Sequence, residues 1–219
     1  MINGMRYVAV CSLPLFLISA FTVCAPALAR NMQAASPKLE QLTPLPLHDG
    51  LNSFKGPDGP FSVFQTWRDN GNAWGYHLYL LTNTVEGKTS VIGVEARPGS
   101  SNTSLRDHLS DAPHTGEDAL ATFQFAKGRL DGKPSVLLFE AIRDPGEHPV
   151  PSPAPTVVYV YSLTHSDGTP GWTPSYFHFV RKIHLPRTFC SSDTALKVAT
   201  GLPLSADAGP PPSADGCFH

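Results

Sequence analysis

From residue 61 onward, apolar side chains recur at every second position in short runs, and the runs are broken by Gly, Pro, Asn and Asp. That is the period of strands with one face buried. Phe61 to Arg68 and Ala73 to Thr82 flank Asn70-Gly71 and predict a hairpin. A type I′ turn needs positive φ at both central residues, and Asn-Gly meets that demand best. Closing the hairpin there sets Trp67 opposite Trp74, Gln65 opposite Tyr76, Val63 opposite Leu78 and Phe61 opposite Leu80. These pairs make one largely apolar face, and Phe64 with His77, Thr66 with Gly75 and Ser62 with Tyr79 make the other. A slip by one residue would mix the two.

The alternation continues. Thr89 to Ala96 is β-branched and returns after a turn at Asn83 to Lys88, and a polar loop then fills 97–117. Leu120 to Lys127 alternates and Asp131-Gly132 turns the chain. Val136 to Ile142 is almost wholly apolar, as suits a central strand buried on both faces. Pro-rich Asp144 to Pro155 is a loop, Val157 to Leu163 another strand, and Asp167-Gly168 to Pro174 another turn. In Tyr176 to Leu185, Phe177, Phe179 and Ile183 point to one face, and His178, Val180, Lys182 and His184 to the other.

One helix is predicted late in the chain. Ser191 or Ser192 caps it, Asp193 favours its N-terminus, Ala195, Leu196 and Val198 fill it, and Gly201 ends it before Pro203. Strands separated by turns, with one short late helix, predict a mainly β fold: an antiparallel β-sandwich or an open barrel. Residues 30–60 carry five scattered prolines (Pro37, Pro44, Pro46, Pro57 and Pro60) and read as an irregular N-terminal arm before a single β-rich domain at 61–219.

The first 29 residues break the pattern. Arg6 precedes an uncharged apolar run from Tyr7 to Val23, and Ala27-Leu28-Ala29 is an A-x-A cleavage site. This is the form of a secretory signal peptide, so the mature chain is expected to begin at Arg30 in the periplasm or outside the cell. A membrane anchor and lipidation at Cys24 are the alternatives. Pro14 and Pro26 disfavour a spanning helix, and Val23 stands where lipidation takes a small residue. The 219-residue chain has a net charge of −2, with no basic stripe, so nucleic acid is not an expected partner. No amphipathic basic segment marks stable membrane insertion after cleavage. Of the 4 cysteines, Cys11 and Cys24 leave with the signal, and Cys190 and Cys217 remain as an expected disulfide that pins the Pro-rich tail.

No hydrolase constellation is legible. The chain lacks G-x-S-x-G and S-x-x-K, and Lys88-Thr89-Ser90 reads as strand-edge polarity. None of the 9 histidines forms H-x-H or H-E-x-x-H, so neither a metal nor another cofactor is expected. Asp69-Asn70-Gly71-Asn72 lacks the spaced carboxylates of a calcium loop. Asn102-Thr103-Ser104 matches a glycosylation sequon. Glu86, Glu95, Glu117, Glu140 and Glu147 are not paired by any spacing for glycoside chemistry. Glu140, inside the most apolar strand, is the exception to the pattern. It calls for an ion pair with Arg143 or another strand's Arg, or a half-exposed face.

Two segments together resemble the carbapenem intrinsic-resistance proteins. Trp67-Arg68-Asp69-Asn70-Gly71-Asn72-Ala73-Trp74-Gly75-Tyr76 is similar to that family's hairpin, although the family usually has His where this chain has Trp74. Phe189-Cys190-Ser191-Ser192-Asp193-Thr194-Ala195-Leu196 resembles its Cys-led late helix. The resemblance implies a periplasmic protein that protects cell-wall synthesis from a β-lactam without hydrolysing it, and it transfers no catalytic residue. The residues expected to bind are Arg68, Asp69, Asn70, Asn72, Trp74 and Tyr76, because aromatics beside polar turn residues form recognition surface. The expected partner is a β-lactam or a cell-envelope protein. A module acting on a cell-wall enzyme is the alternative, and a hydrolase assembled from separate strands the third.

Overall fold

The computed structural model describes residues 36–71, 75–101, 104–111, 114–115, 118–147, 152–204 and 213–217. The expected signal segment at 1–29, Asn72, Trp74, Glu117 and the Asn102-Thr103 part of the sequon lie outside them. Among the described residues the order is β1 (Leu39–Leu45), β2 (Gly50–Gly56), β3 (Gly59–Arg68), β4 (Tyr76–Val85) and β5 (Lys88–Val91). There follow β6 (Gly93–Val94), β7 (His108–Ser110), β8 (His114–Thr115), β9 (Asp118–Ala119) and β10 (Ala121–Leu130). The chain closes with β11 (Lys133–Arg143), β12 (Thr156–His165), β13 (Ser175–His184) and α1 (Ser192–Thr200).

Two sheets pack as a β-sandwich, and neither closes into a barrel. The large sheet runs β1-β10-β11-β12-β13-β6, antiparallel except where β6 pairs with β13. The small sheet runs β2-β3-β4-β5, with β7 also on β4, and β8 pairs with β9 separately. Between the sheets lie Phe61, Val63, Tyr79 and Leu81 from the small sheet and Phe123, Phe125, Leu138, Tyr161 and Phe177 from the large one. Each such side chain contributes about 1.5–3 kcal/mol by leaving water.

β11 is buried on both faces, as its apolar run predicts. Leu138 faces the sandwich interior, whereas Leu137, Phe139 and Ala141 face outward beneath Leu196 of α1 and Leu202. The helix has the caps its sequence predicts. The Ser191 side chain accepts from Thr194 N, and Gly201 sits in the left-handed region (φ 72°) with its N–H on Lys197 O. Asp193 takes the Thr122 hydroxyl (2.6 Å), which ties the first turn to β10. Cys190 and Cys217 are joined, holding residues 213–217 against the helix start. Gly216 allows that approach, since a Cβ there would stand 2.8 Å from Ser191 Cβ.

Four expectations are corrected. The β3–β4 hairpin does not close on Asn70-Gly71. Its register is Val63↔Leu81, Gln65↔Tyr79, Trp67↔His77 and Arg68↔Tyr76, with a seven-residue connection, 69–75. Gly71 alone of the pair has positive φ (67°), and its N–H is taken by Asp69 Oδ1 (2.7 Å). The shift is odd, so the buried face of β4 carries Tyr79 and Leu81, and Leu80 is exposed. Both parities of Tyr76 to Leu81 hold large apolar residues, so alternation could not choose between registers. The type I′ signature appears instead at Asp131-Gly132 (φ 50°, 77°) and Glu86-Gly87 (φ 51°, 77°).

The 30–60 arm is not irregular, because β1 and β2 lie within it. Each is an edge strand, where a missing N–H costs no ladder bond, and this is how β1 holds Pro44. Thr89 to Ala96 is not one strand. It leaves the small sheet after Val91 and joins the large sheet at Gly93, with Ile92 fully buried at the crossing. Gly93 is required there, since a Cβ would stand 2.7 Å from Leu105. Finally, a bulge opposite Val160/Tyr161 inserts one residue into β13. Beyond it the faces exchange: Ile183 joins Val180 on the outer side, and Lys182 pairs with Tyr159 on the inner side.

Candidate functional site

The β3–β4 end gathers part of the expected recognition surface. Arg68 and Tyr76 are cross-strand partners on the outer face. The guanidinium donates to the Tyr76 hydroxyl and lies 5.3 Å from the ring centroid. Asp69 and Asn70 follow in the exposed connection. Arg68, Asp69, Asn70 and Tyr76 are thus adjacent.

The opposite face of the same end holds residues that the misplaced register concealed. Trp67 packs edge-on against His77, with ring centroids 4.8 Å apart. Its indole covers Gly75, where a Cβ would meet Trp67 Cζ2 at 2.1 Å. Asp111 accepts from His77 N (2.6 Å), approaches His77 Nδ1 (2.9 Å) and accepts from the Tyr79 hydroxyl (3.4 Å). Asp111 belongs to the long loop, whose sequence has no period to announce it.

The second concentration of charge surrounds Glu140. Its side chain is fully buried on the inner face of β11, between Phe123 of β10 and Tyr159 of β12. Arg106 grips it with two bonds, Nη1 to Oε1 (2.8 Å) and Nη2 to Oε2 (3.1 Å). The Tyr161 hydroxyl donates to Oε2 (2.9 Å), and Arg97 Nε donates to Oε1 (3.1 Å). The ion pair that the sequence called for therefore exists, but its partners are loop arginines. Arg143 points elsewhere, donating to Ser152 O (2.9 Å).

Burial would lower the Arg106 pKa, but the hydrogen bonds and charge of Glu140 outweigh it and leave it raised. Burial, then the Glu140 charge, push the Tyr161 phenol far above its ordinary value. Tyr161 therefore stays a neutral donor, and Glu140 is held as a shielded counter-ion with four bonds to its two oxygens. Glu95 completes the neighbourhood: its carboxylate faces His178 Nδ1 (2.9 Å) and accepts from Phe179 N (2.7 Å), and its carbonyl accepts from Arg106 (3.3 Å).

The outer face of the small sheet offers a different kind of surface. Leu51, Phe64, Leu80 and His108 align in one row across β2, β3, β4 and β7. Leu51, Phe64 and Leu80 are exposed. Among the described residues, no three His, Cys, Asp or Glu side chains converge as a metal site, and no helix is long and apolar enough to cross a membrane.

No protein-family model matches this chain, and no curated protein matches it. One solved structure does match. It is the crystal structure of CarG, which superposes with a TM-score of 0.56 at 16% sequence identity. The match covers 71% of this chain and 94% of CarG. At that identity the likeness shows a shared fold.

Proposed function

We propose that this protein is exported to the periplasm and protects against carbapenem-type β-lactams by binding them rather than hydrolysing them. The observation that carries the reading is the β-sandwich shared with CarG, a carbapenem-related protein. The signal-like 1–29 segment and the hairpin and Cys-led helix that resemble the carbapenem intrinsic-resistance proteins support it. The test is expression in a carbapenem-sensitive host. Tolerance is expected to rise while the drug's ultraviolet absorbance in a purified assay stays constant. Unchanged tolerance would overturn protection, and loss of absorbance would overturn the non-catalytic part.

A second reading is a module that acts on a cell-wall enzyme. The exposed Leu51-Phe64-Leu80 row favours it, since solvent-facing apolar rows mark protein contacts. Inhibition of a purified cell-wall transpeptidase without a change in tolerance would select this reading over the first.

A further inference from the structure

Glu140 has more positive charge around it than it needs. Arg106 alone makes a bidentate pair, and Tyr161 supplies a further donor to Oε2. Arg97 is a second guanidinium on a carboxylate that is already neutralised. It differs from Arg106 in exposure, with 42% of its side chain open to solvent against 20%. Its bond from Nε to Glu140 is the one hydrogen bond its side chain makes among the described residues. The guanidinium is therefore held at Nε, and its Nη groups make no hydrogen bond among the described residues.

A second cation stands along the same row. Phe123, Glu140, Tyr159 and Lys182 are successive Cα partners across β10, β11, β12 and β13. Lys182 Nζ lies 5.3 Å from the centroid of the Tyr159 ring. Strand spacing places its backbone about 10 Å from that of Glu140. Lys182 reaches this face because the β13 bulge turned it inward. The nearby Glu95 carboxylate faces His178 Nδ1 and the Phe179 N–H, and the three cations Arg97, Arg106 and Lys182 outnumber the two carboxylates Glu95 and Glu140.

A planar guanidinium with its inner edge anchored and its outer fork free matches a carboxylate in two parallel hydrogen bonds. We propose that Arg97, positioned by Glu140, is a recognition group for the carboxylate of a small ligand, with Lys182 across Tyr159 as a second cationic contact. The site rests on the binding function proposed above, under which the ligand carboxylate is that of the β-lactam nucleus. Arg106 is the structural member of the pair, and Arg97 the one that meets the ligand.

The experiment uses the mature protein and three probes: meropenem, its methyl ester, and benzoate. Binding is measured by calorimetry and by the side-chain 15N–1H signal of Arg97. Meropenem is expected to shift that signal, and esterification or Arg97→Gln to weaken binding by roughly tenfold or more. Lys182→Gln should weaken it less. Arg97→Gln should keep the wild-type melting profile, since Arg106 still pairs with Glu140, so lost binding would not mean lost fold. Equal binding of the ester, or unchanged affinity in Arg97→Gln, would overturn the site while leaving the β-lactam reading intact. Benzoate bound at Arg97 with no meropenem bound would uphold the site and overturn that reading. No shift of the Arg97 signal with either meropenem or benzoate would overturn the site.

Discussion

The outer faces of the two sheets invite comparison. Outside the large sheet, Leu137, Phe139, Ala141, Val158 and Val160 are fully buried, with Leu196 of the helix packed onto them. Outside the small sheet, Leu51, Phe64 and Leu80 are 61%, 45% and 39% exposed, and outward positions flanking their row carry hydroxyls: Ser53, Ser62, Thr66 and Thr82. A face that will be covered is apolar under the helix, and its polar outward groups are bonded to what covers it, as Thr122 is to Asp193 and Gln124 to Pro203 O. A face that stays open flanks its apolar row with hydroxyls that bond to one another, as Ser53 does to Ser62, or to water. The covering element is itself held by a cap at each end, a bond to β10 and the Cys190–Cys217 link. The lesson is that the large sheet depends on a docked helix for stability, and the small sheet does not.

The largest effect expected from this difference is at Phe139. Phe139→Ala leaves a cavity under α1 and should cost about 3–5 kcal/mol in urea unfolding. A loss below about 1 kcal/mol would mean that the helix adds no tight packing. Next comes the link that holds the helix start. Replacing both Cys190 and Cys217 with Ser opens a loop of sequence separation 27. Loop-closure entropy sets that cost at about 3.5 kcal/mol. Amide exchange should then rise first in α1 and leave β3 and β4 protected.

The interior beneath both faces gives a pH test. Below about pH 10 tyrosine is neutral folded or unfolded, so Tyr161 adds no pH dependence. Above it the unfolded phenol ionises and the folded one, its pKa raised by burial and the Glu140 charge, does not. Stability should therefore fall with rising pH by up to about 1.4 kcal/mol per unit, until the folded pKa is passed. Tyr161→Phe should flatten this part of the alkaline loss, and an unchanged slope would contradict the buried phenol.

Smaller still is the N-cap. Ser191→Ala should cost about 1 kcal/mol by leaving the Thr194 N–H without its side-chain acceptor, measurable as a lower midpoint in thermal unfolding. Smallest are changes on the open face. Leu51→Ser, Phe64→Ser and Leu80→Ser should each move stability by no more than about 0.5 kcal/mol and raise solubility. A cost above about 2 kcal/mol at any of them would show that this face is covered.

Legibility followed the range of the interaction concerned. The Asp131-Gly132 turn, the Ser191 and Gly201 caps and the two-sided burial of β11 are local, and their residues announce them. The β3–β4 register is not local, because it depends on which of two apolar sets on β4 meets Phe123 and Asp111 far along the chain. Of the expected binding residues, Arg68, Asp69, Asn70 and Tyr76 do share one end of the small sheet. The partners of Glu140 were illegible, since Arg97 and Arg106 lie 43 and 34 residues away in a loop without periodicity.

Composition and alternation alone determined a mainly β molecule with short turns, one capped helix near its end and a cysteine pair to tie the tail. They also marked Glu140 as a charge that needs a partner. Only tertiary structure decided which parity of β4 is buried, where the β13 bulge exchanges its faces, and which arginines neutralise Glu140. The physical reason is that alternation specifies that a strand has a buried side, while the contacts that choose that side come from distant strands and loops.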